Sequence, residues 1–300
     1  MDFDVIIIGA GPGGLTAAIY TGRANLRTLI LEPTGAGGQL NYTYEVDNYP
    51  GFFGKGSELA EKMRSQAAKF GGVFSSERVL EIKIIQGNIK LVKTRKNEYR
   101  AKAVIIATGA NPRPLSVDGE EAFKGLGVSY CATCDGAFFK DKTVLVVGGG
   151  NTAFEDSVYL SKFCKAVYLI HRRETFRASA SLVEKVRQNP KIIIRTNETV
   201  EKIQGDKTVK SVVLKHTLSS RISVLDTSAV FVAAGRIPNS DFVRDLVNLD
   251  KNGYIVTDDR MRSSVDGIYA VGDVRSTPLR QIITAAADGA VAANDISLTV

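Results

Sequence analysis

The sequence predicts an α/β protein in which one strand–turn–helix–strand plan occurs twice. Three observations predict it. A short β-branched run, Val5-Ile6-Ile7-Ile8, leads into the glycine-rich Gly9-Ala10-Gly11-Pro12-Gly13-Gly14. The same arrangement returns at Val144-Leu145-Val146-Val147 and Gly148-Gly149-Gly150-Asn151-Thr152-Ala153. Each half then closes on an apolar strand that ends in small residues, Val104 to Gly109 in the first and Val230 to Gly235 in the second. Internal repetition of a supersecondary unit constrains a fold far more than one motif does.

Each element has a local reason. In the first copy, Leu15 to Tyr20 suits a helix, and Thr28-Leu29-Ile30-Leu31 is a second strand ending at Glu32. In the second copy the helix runs over Phe154 to Leu160, and the strand Ala166 to Ile170 follows. The glycines have distinct tasks. The first permits the tight turn, the second lets a pyrophosphate approach the backbone, and the third lets helix and strand pack closely. Ala153 takes the third place in the second copy. The helix that follows offers unpaired N–H groups and a partial positive charge to phosphates. The strand–turn–helix context is what gives the two motifs weight. The prediction is therefore two Rossmann-like dinucleotide-binding domains.

The residue 23 positions after the first glycine separates the two sites. In the first copy it is Glu32, whose carboxylate suits the hydroxyls of an unphosphorylated ribose. In the second it is His171, followed by Arg172 and Arg173, with Arg177 a helical turn later. Cations attract a 2′-phosphate that a carboxylate would repel. Surface pairing of these arginines with Glu174 is the alternative. One unphosphorylated dinucleotide site and one NADPH site is the arrangement of a flavin reductase, so FAD and NADPH are the expected cofactors. Near the C-terminus, Gly267 to Asp273 reads as a short strand ending in a carboxylate. Arg280-Gln281-Ile282 then leads into an alanine-rich helix, Thr284 to Ile296. Asp273 could hold the polar end of FAD, and the helix N-terminus would stabilise negative charge on the reduced ring.

Composition excludes other classes. The 300 residues are 44% hydrophobic and 24% charged, ordinary for a globular protein. No apolar run approaches the roughly 20 residues of a membrane span, and the acidic start Met1-Asp2-Phe3-Asp4 lacks a signal peptide's basic region. The expected location is the cytoplasm, with no membrane partner. The net charge of +7 and the stretch Lys90 to Lys102 could suggest nucleic acid. Without stacking aromatics on a basic groove, that stretch reads as a solvated hairpin face, and no nucleic-acid partner is expected.

The cysteines are Cys131, Cys134 and Cys164. Cys131-Ala132-Thr133-Cys134-Asp135 can close a disulfide on one turn, in a spacing that often depresses a thiol pKa. One such pair cannot make a four-cysteine zinc site, and no metal is expected. Asp135 is the candidate general acid–base, with a turn cap as the alternative. Cys164 reads as a small buried hydrophobe. The pair lies between the end of the first sheet and the second glycine turn, which assigns it to the NADPH domain.

These residues together resemble low-molecular-weight, bacterial-type thioredoxin reductases over nearly the whole chain. Cys131 to Asp135 and His171-Arg172-Arg173 with Arg177 are the most specific matches. They are joined by Gly9 to Gly14, Gly37-Gly38-Gln39-Leu40, Glu45 to Gly51 with Asn48, Ala107-Thr108-Gly109, Gly148 to Ala153, Gly272-Asp273 and Arg280-Gln281. The resemblance implies that FAD contacts Gly9, Gly11, Pro12, Gly13, Gly14, Glu32, Gly38, Gln39, Leu40, Asn48, Thr108, Gly109, Gly272, Asp273, Arg280, Gln281 and Ile282. It implies that NADPH contacts Gly148, Gly150, Asn151, Thr152, Ala153, His171, Arg172, Arg173 and Arg177.

It implies, too, that the second domain is inserted in the first, giving segments 1–113, 114–239 and 240–300. Hinges fall near Asn111 to Pro114 and Arg236 to Asn239, and one domain rotates so that the flavin meets nicotinamide and cysteines in turn. Cys134 faces the flavin and Cys131 exchanges with a substrate disulfide, that of thioredoxin, in a homodimer. Ile282 departs from the family, which commonly has a small residue there. Three other readings share parts of this pattern. A peroxidase-system reductase carries an extra N-terminal redox domain. A ferredoxin–NADP reductase lacks the cysteine pair. A flavin-containing redox sensor would show no turnover.

Overall fold

The computed structural model describes residues 2–43 and 45–300. Helices form at α1 (Pro12–Arg23), α2 (Gly56–Lys69), α3 (Ala132–Asp135), α4 (Asn151–Ser161), α5 (Ala180–Arg187) and α6 (Ile282–Thr299). The chain forms two compact units, Met1–Asn111 with Ile237–Val300, and Pro112–Arg236.

In the first unit the strands run in the order Val73–Ser75, Thr28–Leu31, Asp2–Ile8, Glu98–Ile106, Ile89–Thr94, Val79–Ile85. The first four are parallel, and Ile268–Ala270 joins the C-terminal half of Glu98–Ile106, also in parallel. The last two strands are antiparallel additions. Asp2–Ile8 is buried on both faces, which is why it reads as an unbroken apolar run rather than an alternating one. Val5 and Ile7 pack into a cluster with residues of α1, α2 and α6, whereas Ile6 and Ile8 pack with Val243, Val247 and Ile255.

The second unit repeats the design. Its parallel sheet has the order Val128–Ser129, Ala229–Val232, Thr143–Val147, Ala166–His171, Ile192–Thr196. Val144 and Val146 bury against Phe154 and Leu160 of α4, while Leu145 faces the opposite cluster with Ile170 and Val230. A three-stranded antiparallel sheet, Glu198–Gly205, Val209–His216 and Ile222–Asp226, covers that second face.

By compactness the units divide after Asn111 and Arg236. The Arg113 amide donates to Gly235 O (2.9 Å) within the second unit, and the Asn239 amide to Gly109 O (3.0 Å) within the first. Two expectations need correction. The helices are longer than their apolar patterns. Pro12 supplies the first turn of α1, where its missing N–H costs nothing, and Gln281 with Thr284 forms a capping box that starts α6 earlier. Finally, Lys90 is not on a solvated face. It is 1% exposed and donates from Nζ to Asn88 O (2.9 Å), beneath the loop at Gly267.

Candidate active site

The first glycine turn is built by close contact. A Cβ on Gly9 would fall 2.4 Å from Ala107 O, and one on Gly14 would fall 2.1 Å from Gly9 O. Gly9 also sits at φ +104°, where a side chain is strained. A Cβ on Gly11 would meet nothing within 4 Å. The turn is thus tight wherever it must pack and open at its middle glycine, the place where a pyrophosphate needs room. Gly11 caps α1 without a side-chain hydrogen bond, which leaves the first N–H groups facing that space.

Other expected positions gather around this turn. Glu32 accepts from the Ala10 amide (3.1 Å) with one oxygen, and from the Thr34 amide and hydroxyl (2.9 and 2.8 Å) with the other. These donors aim its carboxylate at the turn and leave lone pairs for a ribose. Gly38 stacks against Gly11, with a built Cβ 3.2 Å from Gly11 Cα. Gln39 donates to Ala110 O (3.1 Å) and to Asp273 (3.3 Å), and Asn48 donates to Gln281 (3.1 Å). A Cβ built on Gly13 would fall 3.1 Å from Ala285 O, so α1 and the start of α6 meet at this turn. Ile282 packs on the same apolar cluster.

Three positions stand differently from a simple ligand contact. Leu40 is 2% exposed and belongs to the core. The Thr108 hydroxyl is engaged by Asn239 O (2.7 Å), while Gly109 takes φ +68° beside it. The Arg280 guanidinium stacks on the Tyr254 ring at 4.2 Å, and its buried Nε has no partner. Asp288 and Arg275 were not foreseen. Buried Asp288 accepts from the Gly272 amide (3.0 Å) and from Arg275 through two bonds (2.7 and 2.8 Å). That pair fixes the Gly272–Asp273 turn on α6. No spacing rule marks it, because its members come together only through tertiary contact.

The second glycine turn obeys the same rules. A Cβ on Gly148 would lie 2.5 Å from Ala233 O and 2.7 Å from the Ala153 Cβ, whereas one on Gly150 would meet nothing within 4 Å. Gly150 caps α4, and Asn151 and Thr152 stand exposed in its first turn. Gly149 lies under the His171 ring. The loop after His171 is tied back to the turn by the Arg177 amide on Gly149 O (2.7 Å) and the Ser179 amide on Asn151 Oδ1 (2.9 Å). Arg172, Arg173 and Arg177 are exposed, and among the described residues none of their guanidiniums forms an ion pair. Burial and the three arginines hold the His171 imidazole below its usual range, against a bond to Thr175 O. Three arginines without an ion-pair partner suit a phosphate monoester. Both glycine turns therefore fit dinucleotides, and their side chains fit FAD at the first and NADPH at the second.

Cys131 and Cys134 form a disulfide, with Cα atoms 5.3 Å apart, across the single turn of α3. Both are half-buried. Asp135 follows, its amide bonded to Cys131 O (3.1 Å) and its carboxylate accepting from Ser129 Oγ (2.6 Å). Burial pushes the Asp135 carboxyl up, partly offset by Ser129. A raised carboxyl can carry a proton where an exposed one would not. Cys164 is fully buried, donates to Phe139 O (3.3 Å), and burial pushes its thiol up to about 11. It is inert at neutral pH.

Among the described residues, no cluster of His, Cys, Asp or Glu could hold a metal ion, and no helix is long and apolar enough to cross a membrane. Residues 3–289 match the family model described as pyridine nucleotide-disulphide oxidoreductase. The chain is 44% identical to a thioredoxin reductase of Peptoclostridium acidaminophilum, covering 97% of this chain and 95% of that one. It is 46% identical to the thioredoxin reductase of Bacillus subtilis (strain 168), over 98% and 93% of the two chains. The crystal structure of thioredoxin reductase from Streptococcus pyogenes MGAS5005 superposes with a TM-score of 0.91 at 42% identity, covering 99% of this chain and 98% of that one. With two glycine turns and a disulfide in one chain, this chain belongs to the pyridine nucleotide-disulphide oxidoreductase family, on its thioredoxin reductase branch.

Proposed function

We propose that this chain reduces the disulfide of thioredoxin with electrons from NADPH, by way of FAD and the Cys131–Cys134 pair. The observation that carries the reading is the disulfide on a one-turn helix with a half-buried carboxyl next to it. That is a redox centre with its own proton carrier. It lies in the unit with the arginine-flanked glycine turn.

Each residue then has a task. Gly9, Gly11 and Gly14 with α1 hold the FAD pyrophosphate, and Glu32 holds its ribose. Asp273 with Gln39, and Asn48 with Gln281, line the path toward the isoalloxazine end. Gly148, Gly150 and Ala153 receive the NADPH pyrophosphate, and Arg172, Arg173 and Arg177 its 2′-phosphate. FAD, when bound, relays two electrons from the nicotinamide to the disulfide. Once the S–S bond is broken, the Cys131 thiolate attacks the thioredoxin disulfide and forms a mixed disulfide. The thiolate released from thioredoxin takes a proton, which Asp135 is placed to supply. Cys134 then attacks the Cys131 sulfur, which restores the pair and frees the second thioredoxin thiolate to take a proton from water. We place this activity in the cytoplasm and in a homodimer, without membrane or nucleic acid.

The test is NADPH oxidation by the FAD-loaded protein, with and without thioredoxin and a terminal disulfide, in wild type and Cys134→Ser. The expected result is thioredoxin-dependent turnover that disappears in the variant while NADPH still bleaches the flavin. Flavin bleaching in the wild type without disulfide-dependent turnover would overturn the substrate. No bleaching by NADPH would overturn the second nucleotide site.

A further inference from the structure

Ser129 belongs to no motif, yet three bonds converge on its hydroxyl oxygen. It ends the strand Val128–Ser129, which pairs in register with Phe231 of the parallel sheet. It is 6% exposed. Its Oγ lies 2.6 Å from Asp135 Oδ2 and 3.3 Å from Cys131 O, and it accepts the Cys131 amide at 3.1 Å. One side chain on a rigid strand thus touches both ends of the redox turn.

A hydroxyl has one proton and two acceptor sites. It cannot donate to Asp135 and to Cys131 O together. With Asp135 ionised, the short bond to the carboxylate takes the proton, since charge-assisted bonds are the stronger. With Asp135 protonated on Oδ2, the carboxyl donates to Ser129, and the Ser129 proton turns to Cys131 O. Every buried group remains satisfied in either state.

We propose that Ser129 is a positioning residue of the dithiol centre, whose hydroxyl reverses its hydrogen bond as Asp135 gains or loses a proton and keeps that carboxyl registered on the cysteine turn. The proposal rests on the proposed function for its part in turnover, but the geometry is independent of it. The reversal itself moves only protons: Asp135 gives one to the first thioredoxin thiolate and regains one from the Cys134 thiol as that sulfur attacks, while the second thioredoxin thiolate takes its proton from water.

The surroundings isolate this effect. Burial raises the Asp135 carboxyl and Ser129 lowers it, and no charged side chain contributes. Helix α4 packs on α3 and carries Glu155 and Asp156, but Asp156 answers to burial, Glu155 and Arg236 instead. The other titratable groups at the turn are the two cysteines, once reduced.

The experiment is a ¹³C titration of the Asp135 carboxyl in the FAD-loaded protein, with the resonance assigned by its loss in Asp135→Asn. Ser129→Ala should move the midpoint upward, because the carboxylate loses its donor, and Ser129→Thr should restore it. Thioredoxin turnover should fall about tenfold in Ser129→Ala, with its pH profile displaced in the same direction, and recover in Ser129→Thr. An unchanged midpoint in Ser129→Ala overturns the proposal, as does a Thr variant that behaves like Ala. If Ser129→Ala fails to fold, Ser129→Thr and Ser129→Cys decide, since only the first keeps a strong donor and the wild-type midpoint. A wild type without thioredoxin turnover removes the proposed substrate, and the titration still decides Ser129.

Discussion

Gly149 lies directly beneath the imidazole of His171, so that a Cβ built on it would fall 2.2 Å from the ring Cε1. No glycine-turn rule demands a glycine here, since this is a variable position of the motif. The ring demands it. His171 ends the strand before the loop that carries Arg172, Arg173 and Arg177, and that loop is bonded back to Gly149 O through the Arg177 amide (2.7 Å). Gly149 therefore sets where the arginines stand.

Gly149→Ala should displace His171 and the loop behind it. The expected outcome is a KM for NADPH raised about tenfold, the loss of one charge-assisted contact. The KM for NADH and the kcat should change little, because the pyrophosphate turn is intact. Steady-state kinetics with both nucleotides checks this, and an equal rise for NADH would count against the assigned phosphate site.

Gly11 and Gly14 should separate binding from folding. Gly11 has φ −75° and open space at its Cβ. Gly11→Ala should leave the melting temperature of the flavin-free protein unchanged while weakening FAD. Gly14→Ala drives a methyl into Gly9 O at 2.1 Å and should destabilise the unit by about 1–3 kcal/mol or more. Flavin titration and thermal unfolding read the two effects. Normal FAD affinity in Gly11→Ala would place the pyrophosphate elsewhere.

Asp156 predicts a pH dependence of stability. Burial and the neighbouring Glu155 push this half-buried carboxyl on α4 up to about 7, against Arg236, from an ordinary 3.8. The unfolded chain ionises first as pH rises, so folding loses stability between about pH 4 and pH 7. Asp156→Asn removes that loss. It should be the more stable protein at pH 8, by on the order of 1–3 kcal/mol, and equal to wild type near pH 4. Urea midpoints across that range check it, and a constant gap would mean that the carboxyl does not titrate there.

The parts of the site that were legible in sequence share one property: their chemistry depends on neighbours in the chain. Gly9 to Gly14 and Gly148 to Ala153 each form a turn whose shape comes from local backbone freedom. Cys131 and Cys134 are joined across a single turn. Glu32 and His171 occupy the slot that a strand of fixed length places beside the glycines. Lys90 shows the opposite case. Its sequence surroundings are charged, but the loop at Gly267 covers it, and nothing near Lys90 in the chain announces that loop.

Sequence alone determined the two βαβ units, the difference in charge between Glu32 and the His171–Arg173 segment at the ends of their second strands, and the redox pair, because periodicity, glycine spacing and residue chemistry are local quantities. The tertiary structure decided that Ser129 holds Asp135 (2.6 Å), that Asp288 and Arg275 fix the Gly272–Asp273 turn, and that Gly149 supports His171. It also divides the units after Asn111 and Arg236, beside main-chain bonds that stay within each unit. A hydrogen bond or a steric contact between distant residues exists only once the sheets have brought them within a few ångströms, and no pattern along the chain encodes that distance.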